Sequence, residues 1–204
     1  MRLIFLFLLI GVSAVSGTLN NFDWRDPEPL PYSEELVKKA EAGDAVAQWS
    51  LGMCYSGGRQ TSEGFIECKE VKKNHEEAVK WFTKSAEQGN PEAQLAMHDY
   101  YSTKAGEYMR TSDNIPRINE ARKIAEEWLL KAAEGGNTSA QRGAAHMYFY
   151  RNSKGSERIE NLNVAKKFYV KLAEKGDKEA EKMARSCEFE IQKEQRQHKT
   201  TKSK

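Results

Sequence analysis

Four stretches of this chain carry one phrase: Lys38-Lys39-Ala40-Glu41-Ala42-Gly43-Asp44, Lys84-Ser85-Ala86-Glu87-Gln88-Gly89-Asn90, Lys131-Ala132-Ala133-Glu134-Gly135-Gly136-Asn137 and Lys171-Leu172-Ala173-Glu174-Lys175-Gly176-Asp177. Each copy reads as one helix ending and another beginning. The glycine can enter the left-handed region that closes a helix C-terminus. The Asp or Asn after it can cap the next helix by accepting from its unbonded N–H groups. Pro91 then falls at a first helical position, where its missing donor costs least. From Gly43 through Gly89 and Gly136 to Gly176 the spacings are 46, 47 and 40 residues.

The flanking helices repeat as well. Before the junctions come Ala78-x-x-Trp81-x-x-Lys84, Ala125-x-x-Trp128-x-x-Lys131 and Ala165-x-x-Phe168-x-x-Lys171, with small and aromatic positions on one helical face. After them come Ala47-Gln48, Ala93-Gln94 and Ala140-Gln141, each followed by a tyrosine: Tyr55, Tyr101 and Tyr148. Gln48 falls on the buried face and reads as a structural hydrogen-bonding residue between helices. Gly52 would let a neighbouring helix approach closely. A unit of helix, loop and antiparallel helix cannot bury its apolar face alone, so units stack. The expected fold is an all-α solenoid of three helix–loop–helix units over residues 34–187. A leading helix ends near Ala42 and a closing helix starts near Asp177.

These residues resemble the Sel1-like repeat family, a relative of tetratricopeptide repeats with a slightly longer period. The first unit carries the pattern most fully, as Ala40-x-x-Gly43-x-x-x-Ala47-Gln48-x-x-Leu51-Gly52-x-x-Tyr55-x-x-Gly58 and then Glu77-Ala78-x-x-Trp81-x-x-Lys84-Ser85-Ala86. The family joins its helices by a short turn containing Gly-Val and Asp, which this chain lacks. Residues 56–73, 102–118 and 150–160 therefore read as loops with insertions, and His98 and Ala145 replace the Gly52 of the first unit. The resemblance implies an adaptor or scaffold that binds a protein or peptide on a concave helical surface. A cysteine-rich secreted subgroup of the family, linked to binding and weak hydrolysis of β-lactams, pairs cysteines in every repeat. This chain does not. A weak hydrolase or binder of β-lactams or cell-wall peptides, and a toxin-neutralising binder of the immunity type, are the alternative readings.

Composition constrains the rest. Charged residues make up 30% of the chain but the net charge is only +2, too balanced for a nucleic-acid partner. Residues 1–17, with Arg2, the apolar run Leu3 to Ile10 and the small residues ending at Gly17, read as a secretory signal peptide. The run is shorter than the roughly 20 residues of a membrane span, so no transmembrane segment is expected after its removal. The expected location is secreted or periplasmic. Residues 18–33 form a lead-in. Residues 188–204, polar and basic on balance beyond Ile191, are expected to be a largely disordered tail.

Three cysteines and four histidines complete the chemical inventory. In an oxidising compartment Cys54 and Cys68 are expected to pair, closing a loop of about 15 residues for about 3 kcal/mol. Cys187 occupies the register of Cys54 at the far end of the stack, too distant to bridge it. It is either intermolecular or buried. His75, His98, His146 and His198 show no recurring ligand spacing, and no nucleophile lies in a catalytic motif. No cofactor, metal or enzymatic activity is implied. The face of each first helix opposite Gln48 is the candidate partner surface: Trp49 and Met53, then Leu95 and Asp99, then Arg142 and His146. A competing reading has Trp49 and Met53 covered by the segment Phe22 to Tyr32.

Overall fold

The recurring phrase is built the same way four times. The computed structural model describes residues 28–61, 64–111 and 114–202; residues 1–17, Phe22 and Trp24 lie outside them. At each junction the residue after glycine donates its backbone N–H to a carbonyl five positions earlier: Asp44 to Lys39 (3.0 Å), Asn90 to Ser85 (3.2 Å), Asn137 to Ala132 (3.1 Å) and Asp177 to Leu172 (3.1 Å). That closure needs a left-handed residue, and Gly43, Gly89, Gly136 and Gly176 supply φ of 100°, 90°, 103° and 92°. The Asx oxygen accepts from the N–H three residues on, at Ala47 (2.8 Å), Ala93 (2.9 Å), Ala140 (2.7 Å) and Ala180 (3.0 Å).

The glutamines brace the first three junctions. Nε2 of Gln48, Gln94 and Gln141 donates to the carbonyls of Ala40 (3.0 Å), Ala86 (3.2 Å) and Ala133 (3.1 Å), at the end of the preceding helix. Each is buried, and each adds a second donor to a last-turn carbonyl that already accepts from the junction glycine N–H.

The described residues form eight helices: α1 (Glu34–Glu41), α2 (Ala45–Ser56), α3 (His75–Glu87), α4 (Pro91–Thr111), α5 (Ile115–Glu134), α6 (Thr138–Tyr150), α7 (Gly155–Glu174) and α8 (Lys178–Lys202). Each packs on the helix before it and the helix after it. The A helices of the units are α2, α4 and α6, with α8 closing the array; the B helices are α3, α5 and α7, with α1 leading it. Three core clusters follow in chain order. Leu36, Ala40, Ala47, Leu51 and Trp81 form the first. Trp49, Phe82 and Met97 centre the second, and Leu129, Leu162, Phe168 and Leu172 the third. Each cluster draws on neighbouring units, as a one-dimensional stack requires.

The B-helix motif has a polar consequence. Lys84 Nζ lies 4.4 Å from the centre of the Trp81 ring, Lys131 Nζ 4.2 Å from that of Trp128, and Lys171 Nζ 6.0 Å from that of Phe168. Each lysine thus covers the aromatic ring one helical turn before it. Gly52 admits Phe82: a Cβ there would stand 2.6 Å from the ring. In the second unit His98 takes that position and its Nδ1 lies 2.9 Å from the Ala125 carbonyl oxygen of α5.

The connections depart from expectation. Two strands, β1 (Gly58–Thr61) and β2 (Gly64–Glu67), pair antiparallel as a hairpin, the one sheet among the described residues. Residues 102–118 are mostly helix, not loop. The insertion lengthens α4 and α5 because Ala105, Ile118 and Ala121 recur at helical spacing and are buried. In the third unit only residues 151–154 connect the helices, held by Arg158 donating to the Phe149 carbonyl and Asn161 donating to Ser153 Oγ (2.9 Å). The tail differs too: α8 continues through Lys202, because Gln, Lys, Glu and Arg favour helix without a core, and Lys193 pairs with Glu190 (3.1 Å).

Two glycines separate packing from propensity. Gly52→Ala is expected to lower stability by about 1–3 kcal/mol through displacement of Phe82. Gly106→Ala, in α4 with nothing within 4 Å of the new Cβ, is expected to raise it by roughly 0.5–1 kcal/mol. Thermal or urea unfolding of the two variants checks both signs.

Candidate partner-binding face

The six candidate residues do not share one environment. Trp49, 6% exposed, sits in the second core cluster against α3 and α4, and Met53 packs beside it. Leu95 packs on the third cluster. Arg142 donates from Nη1 to Asp177 Oδ2 at 2.7 Å. Trp49, Leu95 and Arg142 occupy one register position on successive A helices. At that position Trp49 and Leu95 pack on core clusters that include residues of the following unit. At the first two levels it is an apolar inter-unit seam, whereas Arg142 at the third is ion-paired and its side chain is 53% exposed.

The competing reading is met in part. The lead-in does lie on α2, where the Leu30 N–H donates to Ser50 Oγ (2.9 Å), Ser50 is fully buried and Pro29 is buried. Ser50 in turn donates to the Val46 carbonyl (2.8 Å). Trp49 and Met53, however, are enclosed by the second unit rather than by the lead-in alone.

Asp99 and His146 do reach the surface. The Asp99 side chain is 75% exposed, yet surrounding protein displaces enough water to raise its carboxyl above the usual value, against the opposing pull of His98. His98 Nε2 lies 4.0 Å from Asp99 Oδ1. His146 is exposed on α6 and its ring lies 4.5 Å from that of Tyr150, one turn further on and 63% exposed. Sequence reasoning missed Tyr150, although its spacing from His146 puts both on one helical face.

Ion pairs fix these helices beside one another. Burial opposes ionisation of Asp177, but the Ala180 amide, then Arg142 and the Glu179 amide, outweigh it and hold the carboxyl low. Glu126 of α5 joins Tyr148 and Arg151 at the far end of α6. Tyr148 Oη donates to Glu126 Oε1 (2.5 Å) and Arg151 Nη2 donates to Oε2 (2.7 Å). Burial again opposes the charge, and the Arg151 and Tyr148 hydrogen bonds override it, lowering the Glu126 pKa. Burial, with the Glu126 hydrogen bond, pushes Tyr148 up to about 12.

Two of the three cysteines are neighbours. Cys68 Sγ lies 2.8 Å from Cys54 Sγ, both residues buried, at the foot of the hairpin. The Asn74 N–H closes the same foot by donating to the Tyr55 carbonyl (2.9 Å). Cys187 is buried in the third cluster, its thiol pushed up to about 11 by burial. Among the described residues no group of three or more His, Cys, Asp and Glu could hold a metal, and no helix is long and apolar enough to cross a membrane.

The family profile of the Sel1 repeat matches residues 45–90, 104–137 and 138–177, more than half of the chain. The chain belongs to the Sel1 repeat family. A Sel1 repeat protein from Oxalobacter formigenes superposes with a TM-score of 0.51 at 22% identity, covering 74% of this chain and 96% of that one. A protective antigen of uropathogenic Escherichia coli strains, with an SLR fold, superposes at 0.47 and 28% identity over 71% of this chain. This chain spans 26% of that antigen's length. No curated protein matches the sequence. Sel1 repeat proteins generally act as protein-binding scaffolds, and the family is typically non-catalytic. The first Sel1 match begins and the last ends at a junction residue or its neighbour, so the family unit and the capped unit coincide there.

Acid should loosen the α5–α6 tie. A carboxyl whose folded pKa is lowered stabilises above its unfolded value and loses that contribution as pH falls through the folded one. Glu126→Gln is therefore expected to cost about 1 kcal/mol at neutral pH. Its thermal midpoint should converge with that of the wild type as pH drops below about 4. Melting curves across that range check the convergence.

Proposed function

We propose that the chain is an exported scaffold that binds a protein or peptide on the A-helix face of its second and third units. The observation that carries this reading is the contrast along one register position. Met53 is packed away in the first unit, whereas its counterparts Asp99 and His146 stand exposed, with Tyr150 beside the histidine. An acid, an imidazole and an aromatic ring suit an extended polar segment carrying a basic or amide group. The first unit is already occupied by the lead-in around Leu30, so a partner would engage the face beyond it. The signal-peptide reading of residues 1–17 supports export to a periplasm or the cell exterior.

Export also bears on the hairpin. In an oxidising compartment Cys54 and Cys68 form a disulfide that clasps β1 and β2 to α2. Their contact in the fold supports this, since little movement separates it from a bond.

Two measurements test these readings. Affinity capture from the cell envelope and secreted fraction of the source cell should retain a partner with wild type and lose it with Asp99→Ala/His146→Ala. Equal retention by that variant would exclude this face. Thiol labelling of the denatured, unreduced protein isolated from its own compartment should modify Cys187 alone; labelling at three cysteines would refute the clasp.

A further inference from the structure

Residues 28–33, Glu28-Pro29-Leu30-Pro31-Tyr32-Ser33, form a strap of irregular backbone ahead of α1. Glu28 and Leu30 each precede a proline, which disfavours the helical region at both and stiffens the segment. Proline has no N–H, so Leu30 carries the one backbone donor from Pro29 to Pro31. That donor goes to Ser50 Oγ of α2 at 2.9 Å. Ser50 stands three residues before Met53, whose register position carries Asp99 and His146 in the later units, and so lies on the same side of its A helix. The strap therefore covers the first-unit end of the proposed partner face.

Its two halves are held unequally. Tyr32 packs on the first core cluster, and Ser33 Oγ accepts from the Leu36 N–H (3.0 Å) as the cap of α1. Ahead of them Pro29 is buried, but Glu28 and Pro31 are exposed and the Leu30 side chain, at 40%, adds little burial. Lifting residues 28–31 about the Pro31–Tyr32 bond leaves the Ser50 hydroxyl its donation to the Val46 carbonyl (2.8 Å), while water replaces Leu30 as its donor. Val46, one turn before Ser50, is already 44% exposed.

We infer that this strap is an autoinhibitory contact, displaced by an extended segment of the partner. The inference rests on the A-helix-face reading and adds what the partner brings to the first unit. It is a stretch of extended backbone that offers one N–H to Ser50 and, like the strap, has prolines where further donors would go unpaired. With the strap closed a partner is confined to the second and third units; with it lifted, binding extends onto α2.

Native-state hydrogen exchange on the wild type and peptide selection test this. The Leu30 amide should exchange through an opening that leaves the Ala47 amide protected. Exchange of Leu30 only by global unfolding would overturn the strap. Random peptides displayed on phage and selected on full-chain Leu30→Pro, which lacks the latching donor, should bind it about fivefold more tightly than wild type. Adding Ser50→Ala should weaken them again. Equal binding to wild type and Leu30→Pro, or indifference to Ser50→Ala, would overturn the strap even where Asp99→Ala/His146→Ala abolishes binding. Peptides that respond to Leu30→Pro and Ser50→Ala but not to Asp99→Ala/His146→Ala would sustain the strap and overturn the face on the later units. Recovery of no peptide would overturn both.

Discussion

Everything else in the molecule depends on the turn in which a left-handed glycine and an Asx cap join each B helix to the next A helix. The turn leaves almost no freedom. The glycine lets the chain reverse within a residue, a backbone N–H returns to a carbonyl five positions back, and the Asx oxygen starts the next helix. The buried glutamine ties the new helix to the old one. Four copies of a fixed turn impose one crossing geometry, and the stack inherits its regularity from them. The opposite edge has caps of its own, at Gly57, Asn74 and Asn114, but no repeated turn, and its connections are a hairpin, a long helical pair and a four-residue link.

The seam between units shows how the array holds together. At one A-helix position the residue changes from Trp49 to Leu95 to Arg142 and then to Lys182. The first two bury apolar surface against the following unit, and the third reaches the Asp177 cap of the closing helix. Lys182 is 72% exposed and pairs only within its own helix, with Glu179. Arg142 therefore does two jobs at one place, orienting the cap of α8 and joining it to α6.

The parts of this fold legible in the sequence were local. Glycine followed by Asx, Ala-Gln after it and Ala-x-x-aromatic before it each describe contacts within a turn or between consecutive helices. Their outcome was readable without knowing how units superpose. Whether Trp49 faces solvent depends instead on the offset between one unit and the next, which no residue within α2 encodes. The excess length at 102–118 was visible but its conformation was not, because counting against a repeat period measures residues and not their dihedral angles. The burial of Ala105, Ile118 and Ala121 was the signal that helix continues there. For the hairpin, Gly57, Gly58 and Gly64 were the available signs, Gly57 and Gly64 with positive φ and Gly58 with the Phe65 ring against its backbone. His146 and Tyr150 could have been paired by their spacing alone.

Native-state amide hydrogen exchange tests the central claim most directly, because it compares the two edges in one molecule. If the capped turns are the rigid frame, the amides of Asn90, Ala93, Asn137, Ala140 and Asp177 should exchange only through openings near the global unfolding free energy. Amides in β1 and β2, and those flanking residues 151–154, should exchange through much smaller openings. Exchange at the junctions as fast as in the hairpin would contradict the account and shift the origin of the array's order to the core clusters.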